Sequence, residues 1–286
     1  MLDFKPMLAE DVEHYDGKPP WGSAGWMAEL KYDGIRLIWT NEGGSPRYYA
    51  RSGNEHTGRY PFLADLALPP NTMLDGELVV PKGMSSDACA LVNRGELVYA
   101  VFDVLKMDGH DLSRQPFDLR RQVVEEIGGL LGPRAMPSLT FEPKEEIARQ
   151  LMAEGQEGVI LKRKMAPYQE GRRSWDWLKV KASFEVDAVI VDCDSPPTRG
   201  SLGDNNGWVV LSYGYQVNGQ FVRAGSVGSS EPREIQQAKV GRVAVIKCNG
   251  INPETGALRH PRILRFRSDK PAGECALPTM SGAKTK

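Results

Sequence analysis

Lys31 stands inside an otherwise apolar run, with Trp26-Met27-Ala28-Glu29-Leu30 before it and Ile35, Leu37, Ile38 and Trp39 after it, broken at Asp33-Gly34. The run reads as a buried strand, a turn and a second strand. A lysine is costly in such a setting unless it is paired. It also becomes a good nucleophile once its amine gives up a proton. Charge interrupts apolar strands elsewhere. Asp75-Gly76-Glu77-Leu78 closes one, and Glu157 opens the strand Gly158-Val159-Ile160-Leu161. In Trp175-Asp176-Trp177-Leu178-Lys179-Val180-Lys181 the two lysines are two apart, on one face of a strand. Like charges so placed repel, and two parallel ammonium groups make a phosphate clamp. Residues 259 to 267 hold four arginines in nine positions, and Ser268-Asp269-Lys270 follows. Taken singly, each stretch also fits a snorkelling lysine, a solvated turn, an edge residue or a basic surface strand.

The elements around these residues divide the chain in two. Strands are predicted at 26–31, 35–40, 73–80, 97–105 and 157–163. A helix opens at Asp118-Leu119, with Leu119, Val123, Val124, Ile127, Leu130 and Leu131 on its apolar stripe. A second helix runs from Lys144 to Glu154 and stops at Gly155. The first 180 or so residues therefore read as a mixed α/β domain. After Lys181 the pattern turns to β: Val186–Val191, then Val209, Leu211, Tyr213, Tyr215 and Val217 in period two, an Asn218-Gly219 hairpin turn, and Val243–Lys247. With a short helical piece at 231–239, this suits a small barrel of the OB type; a sandwich is the alternative. The fold class is α+β in two domains, 1–182 and 183–286, with a loose tail after Lys270.

At 286 residues and 41% apolar content the chain can bury real cores. The net charge of -1 gives no global signal for nucleic acid. Residues 1–182 carry 23 basic and 27 acidic side chains, and residues 183–286 carry 13 and 10, so the second part is the more basic. Cys89, Cys193, Cys248 and Cys275 lack zinc-ligand spacing and read as free thiols of a reducing compartment. No signal core opens the chain and no run approaches the roughly 20 apolar residues of a membrane span. A cytoplasmic protein is expected.

Lys31-Tyr32-Asp33-Gly34-Ile35-Arg36 resembles the nucleotidyl-acceptor motif of the covalent nucleotidyltransferases, which comprise DNA ligases, RNA ligases and mRNA capping enzymes. The resemblance implies an ATP-grasp-like nucleotidyltransferase domain followed by an OB-fold domain. It implies that Lys31 attacks the α-phosphate of a nucleotide and carries the monophosphate as a phosphoramidate. Arg36 then meets the nick phosphate or the ribose. Glu29 contacts the adenine edge, Phe102 stacks on the purine and Ile160 forms the opposite apolar face. Glu77 faces the ribose and metal, and Glu157 is the acidic ligand of that metal. Carboxylates with phosphate oxygens suit Mg²⁺ or Mn²⁺. Lys179 and Lys181 fall on the α-phosphate. Ala50-Arg51-Ser52-Gly53 resembles an S-R-x-G motif that touches the nick phosphate, and with alanine in place of the usual serine only Arg51 is carried over. Arg267 to Lys270 resembles the C-terminal R-x-D-K motif, whose Arg267 and Lys270 orient the leaving pyrophosphate when the second domain closes.

The expectation is a minimal ATP-dependent DNA ligase, monomeric, acting on nicked duplex DNA. ATP rather than NAD follows from the 30 residues ahead of Lys31, too few for a nicotinamide-binding domain, and from the missing zinc-ligand cysteines. An RNA ligase or a capping guanylyltransferase is the enzymatic alternative. Arg36 and Arg51 argue for a DNA ligase, and the C-terminal arginines argue against an RNA ligase. A non-catalytic OB-type binding protein is the alternative from another class. The loop Ser195–Gly207, with Arg199, is expected to grip the duplex.

Overall fold

The apolar run around Lys31 becomes two strands that belong to different sheets. The structure, a computed structural model, describes residues 3–80, 97–194, 209–229, 233–252, 255–278 and 284–285. The chain divides into two compact units, Met1–Val180 and Lys181–Lys286.

The first unit holds β1 (Leu8–Asp11), β2 (Trp26–Leu30), β3 (Ile35–Thr40), β4 (Arg47–Ala50), β5 (Met73–Val79), β6 (Val98–Met107) and β7 (His110–Asp111). After these come α1 (Phe117–Glu126), β8 (Ala135–Pro137), β9 (Thr140–Phe141), α2 (Glu145–Ala153), β10 (Gly158–Arg163) and β11 (Arg173–Lys181). One sheet runs β1-β11-β10-β2-β9; the other runs β4-β3-β5-β6-β7, with β8 also on β6. In the first sheet Glu29 lies opposite Ile160 and Leu30 opposite Val159. In the second, Arg36 lies opposite Glu77 and Ile38 opposite Asp75. Met7, Ile38, Tyr49, Met73, Phe102 and Leu105 bury against Tyr168 and Trp177, which joins the two sheets through one core. A second core of Leu37, Trp39, Leu74, Tyr99, Val101 and Val124 packs the other face. Each fully buried large apolar side chain contributes roughly 1.5–3 kcal/mol.

Both Asp-Gly pairs owe their glycine to a close approach. A Cβ on Gly34 would lie 2.2 Å from the Leu78 carbonyl oxygen, and one on Gly76 would lie 2.6 Å from the Tyr99 ring. Strands β3, β5 and β6 can therefore close up beside the carboxylates only with glycine there.

Most of the predicted stripe faces inward, with Val124, Ile127 and Leu131 in the core and Val123 packed against it, and helix α1 buries two arginines as well. Phe117, Arg120, Arg121 and Val124 are buried, whereas Leu119 is 41% and Leu130 45% exposed. The arginines go inside for an ionic reason. Arg120 forks onto the buried Asp103 carboxylate at 2.7 and 3.0 Å, and Arg121 donates to Ser138 Oγ at 2.7 Å. The guanidiniums are satisfied inside, and Arg120 keeps the buried Asp103 carboxylate from being left unpaired.

The second unit holds β12 (Phe184–Asp194), β13 (Val209–Val217), β14 (Gln220–Ser229), α3 (Arg233–Gln237), β15 (Val243–Cys248), β16 (Gly250–Ile251), β17 (Leu258–Arg259), β18 (Arg262–Arg267) and β19 (Lys284–Thr285). Its sheet runs β14-β13-β12-β15-β18, with β19 on β12, and β16 pairs with β17 as a separate ribbon. Asn218 and Gly219 both take positive φ, 50° and 85°, as a two-residue hairpin turn requires. The segment after Lys270, expected to be loose, is tied down as far as residue 276. Cys275 is 1% exposed, its carbonyl accepts from the Gln216 N–H at 2.6 Å, and Ala276 bridges Gln216. The small residues there fit a chain crossing a sheet rather than a free tail. Cys193, Cys248 and Cys275 are free and buried, while Cys89 lies outside the described residues. No helix among the described residues is long and apolar enough to cross a membrane.

Candidate active site

Strand β2 ends at Leu30, and the next residue leaves the sheet with its backbone still held. The Lys31 N–H donates to the Gly158 carbonyl at 2.9 Å. Its Nζ donates to Glu157 Oε2, the residue just ahead of β10. The Glu157 side chain is 4% exposed and that of Lys31 is 21% exposed. The acid is thus fixed and the amine can be reached. Both lie at the rim of an apolar strand pair, where the sequence pattern placed them.

On the facing sheet, Arg36 is more deeply engaged than the resemblance implied. Its Nε and Nη2 fork onto Asp75 at 2.6 and 2.5 Å, and Nη2 also donates to the Met7 carbonyl at 3.1 Å. Tyr168 completes the cluster by donating to Asp75 Oδ2 at 2.6 Å while accepting from the Met7 N–H at 2.9 Å. Burial works against the Arg36 charge, but the Asp75 carboxylate outweighs it and holds the guanidinium above its ordinary pKa. The guanidinium also lies 4.7 Å from the centre of the Phe102 ring. Glu77, beside it, is pushed up to about 7; burial is the largest cause, and Arg36 and Lys31 offset it only in part.

Glu29 sits behind Lys31, 2% exposed. It meets Lys162 Nζ at 2.7 Å and Arg121 Nη1 at 3.4 Å. Lys162 is itself 1% exposed. It is enclosed by the rings of Phe102, Phe117 and Trp177, whose centres are 4.6, 4.7 and 4.2 Å from Nζ. Burial pushes the Glu29 carboxyl up and the Lys162 amine down, and their mutual pairing works against both shifts. Asp75, Tyr168, Arg121 and Lys162 were missed by the sequence reading. Only Lys162 carried a signal, the same one as Lys31: a lysine in an apolar strand.

Phe102 and Trp177 meet edge-on, with ring centres 6.1 Å apart, and Ile160 packs against their cluster. Lys179 and Lys181 share Trp177's face of β11 by alternation, and Lys179 Nζ lies 3.7 Å from Asp11 Oδ2. The structure therefore brings together Lys31, Glu157, Glu77, Arg36, Phe102, Ile160 and Glu29, while Lys179 meets Asp11. Arg51 is exposed in the turn after β4. Ala50 pairs with Leu37, so that turn lies at the end of the sheet where β3 begins. Arg267 and Lys270 belong to the second unit, where both reach Asp187, at 2.7 and 2.9 Å. Arg199 and the loop Ser195–Gly207 lie outside the described residues.

The described residues contain no cluster of three or more His, Cys, Asp or Glu side chains able to hold a metal ion. Two carboxylates are what Mg²⁺ ordinarily takes from a protein when substrate phosphates and water complete its shell. Glu77 fits that role, because its raised pKa marks a carboxylate that nearby cations only partly neutralise.

A sequence profile of the ATP dependent DNA ligase domain matches residues 6–181. The chain belongs to the ATP-dependent DNA ligase domain family. It is 30% identical to a probable DNA ligase of Beutenbergia cavernae, over 94% of this chain and 60% of that protein. It is 33% identical to the SPbeta prophage-derived DNA ligase-like protein LigB of Bacillus subtilis, over 65% of this chain and 70% of that one. It is also 35% identical to the multifunctional non-homologous end joining protein LigD of Mycolicibacterium smegmatis, over 66% of this chain and 25% of that protein. The chain thus spans from a quarter to about 70% of these relatives. Among solved structures it resembles the ligase domain of M. tuberculosis LigD, with a TM-score of 0.58 and 25% identity over 96% of this chain and 98% of that one. It shares its fold with a Lig E DNA ligase at a TM-score of 0.69 and 22% identity, over 93% and 100% of the two chains. The ligase-domain match covers the lysine, both glutamates and the facing arginine.

Proposed function

We propose that this ligase-domain chain is an ATP-dependent DNA ligase that seals nicks in duplex DNA. In the first step Lys31 Nζ attacks the α-phosphorus of ATP. A P–N bond forms, the α–β P–O bond breaks and pyrophosphate leaves. AMP then passes to the 5′-phosphate of a nick and frees Lys31. Finally the 3′-hydroxyl attacks that phosphate and expels AMP. The observation that carries this reading is the contact of a reachable Lys31 Nζ with the buried Glu157. In this reading the carboxylate takes the amine proton as the P–N bond forms. Catalysis of this kind comes from positioning and charge neutralisation.

Phe102 and Ile160 supply the faces for the purine, and Glu29 its edge. Arg36 serves the ribose or nick phosphate, and Lys179 with Lys181 the α-phosphate. Glu77 and Glu157 would hold Mg²⁺ or Mn²⁺, which neutralises phosphate charge. Arg51, and Arg199 with its loop, would touch the duplex. In the second unit the long strands and the hairpin support an OB-type barrel whose Arg267 and Lys270 orient the pyrophosphate on closure. The enzyme acts as a monomer in the cytoplasm.

Labelled ATP or GTP with Mg²⁺, followed by nicked duplex, tests the reading. AMP on Lys31 and a sealed strand are expected. GMP on the lysine indicates capping chemistry, and no label indicates a binding module; either overturns it.

A further inference from the structure

The R-x-D-K stretch is held from a distant strand. Arg267 Nη1 and Lys270 Nζ donate to one and the same oxygen, Asp187 Oδ2, at 2.7 and 2.9 Å. Asp187 comes from β12, which pairs with β15 from Phe184 to Val189 and so fixes its backbone. Arg267 is held from the other side as well, its Nε and Nη2 donating to Asp269 at 3.0 and 2.5 Å. The chain beyond Lys270 is anchored where Cys275 packs with Val189 and Val243. Two cations meeting on one oxygen repel each other, and the carboxylate between them is what allows the meeting.

The remaining capacity of this cluster is specific. A guanidinium has five N–H donors and an ammonium three. Arg267 uses three in the cluster and Lys270 one. Among the described residues, two are left without a partner on each side chain, those of Arg267 on its two terminal nitrogens. The side chains are 29% and 22% exposed, so these donors can be reached. With Asp187 and Asp269 included, the four charges cancel. An arrangement that only attracted anions would leave out a central carboxylate. An arrangement that fixes the directions of donors would include one.

We infer that Asp187 is a positioning residue for the first step. It sets Arg267 and Lys270 at a fixed separation, and their remaining donors form a receptor for the terminal phosphates of ATP, the part that leaves as pyrophosphate. This rests on the ligase reading above and on the role given there to Arg267 and Lys270.

The test uses the full chain as wild type, Asp187→Asn, Asp187→Glu and Arg267→Ala. The rate of Lys31 labelling is followed against ATP concentration, sealing of a pre-adenylated nick is measured in parallel, and melting is recorded. Asp187→Asn should raise the KM for ATP by roughly ten- to a hundredfold, the scale of lost hydrogen bonds to charged groups. Sealing of the pre-adenylated nick, which needs no triphosphate, should change far less, and Asp187→Glu should recover part of the loss. Charge alone predicts the opposite sign, because removing a carboxylate strengthens the pull on an anion. An unchanged or lowered KM in Asp187→Asn, with Arg267→Ala impaired, overturns the inference and leaves the ligase reading standing. Equal damage to both reactions with a lowered melting temperature makes Asp187 structural and also overturns it. Absence of label on the wild type overturns the ligase reading, and the inference with it.

Discussion

Lys31 and Lys162 look alike in the sequence and do different things in the structure. Each interrupts an apolar strand, the two strands are paired with each other, and each ammonium meets a buried glutamate. Lys31 lies one residue past the end of β2, and a fifth of its side chain is exposed. Lys162 lies inside β10, enclosed by three aromatic rings, with almost nothing exposed. The difference is one of register. A lysine at a strand's end can present its nitrogen to a ligand, while a lysine in its middle spends its nitrogen on the protein. Lys162 also stacks on Phe102 from within, so the enclosed lysine helps hold the ring proposed to meet the purine.

The largest effect should come from Lys31→Ala. Labelling by ATP should vanish, because Lys31 supplies the amine held on Glu157, while a pre-adenylated nick should still be sealed in part. Intact mass after incubation with ATP reads this directly. An AMP adduct on the alanine variant would break the comparison, and Lys162 would be the next residue to replace. The melting temperature of Lys31→Ala should fall much less than that of the next variant.

Lys162→Ala should lose about 3–5 kcal/mol of stability, the usual result of removing one partner from a buried ion pair. Among the described residues, Glu29 would keep only Arg121, at 3.4 Å. Lys162→Met refills the volume and should recover part of the loss among the three rings. Denaturant unfolding of both variants gives the number. A Lys162→Ala chain that is as stable as the wild type but cannot be labelled would mean that Lys162 touches nucleotide, and the contrast with Lys31 would then fail.

How much of this was legible follows from the same contrast. Lys31, Glu77, Glu157 and the Lys179–Lys181 alternation are each visible as charge at the edge of an apolar run, a local signal. The strands at 26–31, 35–40 and 73–80 were found for the same reason, because their periodicity is local. The partners were not legible. Asp75 meets Tyr168 across 93 residues and Arg36 across 39, and Asp187 meets Arg267 across 80. No window of sequence contains both members of such a pair. The burial of two arginines beside the apolar stripe of α1 was not legible for this reason too. The stripe is a local fact, but Arg120 and Arg121 answer to Asp103, Ser138 and Glu29, which other elements supply.

The smallest effect sharpens the contrast on two arginines. Arg36 and Arg51 were both assigned to the nick by resemblance, yet Arg36 forks onto a carboxylate and Arg51 stands exposed in a turn with no partner among the described residues. If engagement decides role here as proposed for the lysines, Arg51 binds DNA and Arg36 shapes the site. Arg51→Ala should then weaken nick binding uniformly and lower the slope of log affinity against log salt by about 0.9, one phosphate contact, with labelling of Lys31 unchanged. Arg36→Ala should instead unsettle Asp75, whose side chain is fully buried, and lower stability and labelling together. Titration of nicked duplex at several salt concentrations separates the two. An unaltered slope for Arg51→Ala would remove Arg51 from the interface. A slope lowered by Arg36→Ala without loss of stability would show that a guanidinium locked on a carboxylate in the free protein still reaches the nick, and exposure in the free protein would then be a poor guide to which cations this ligase domain uses.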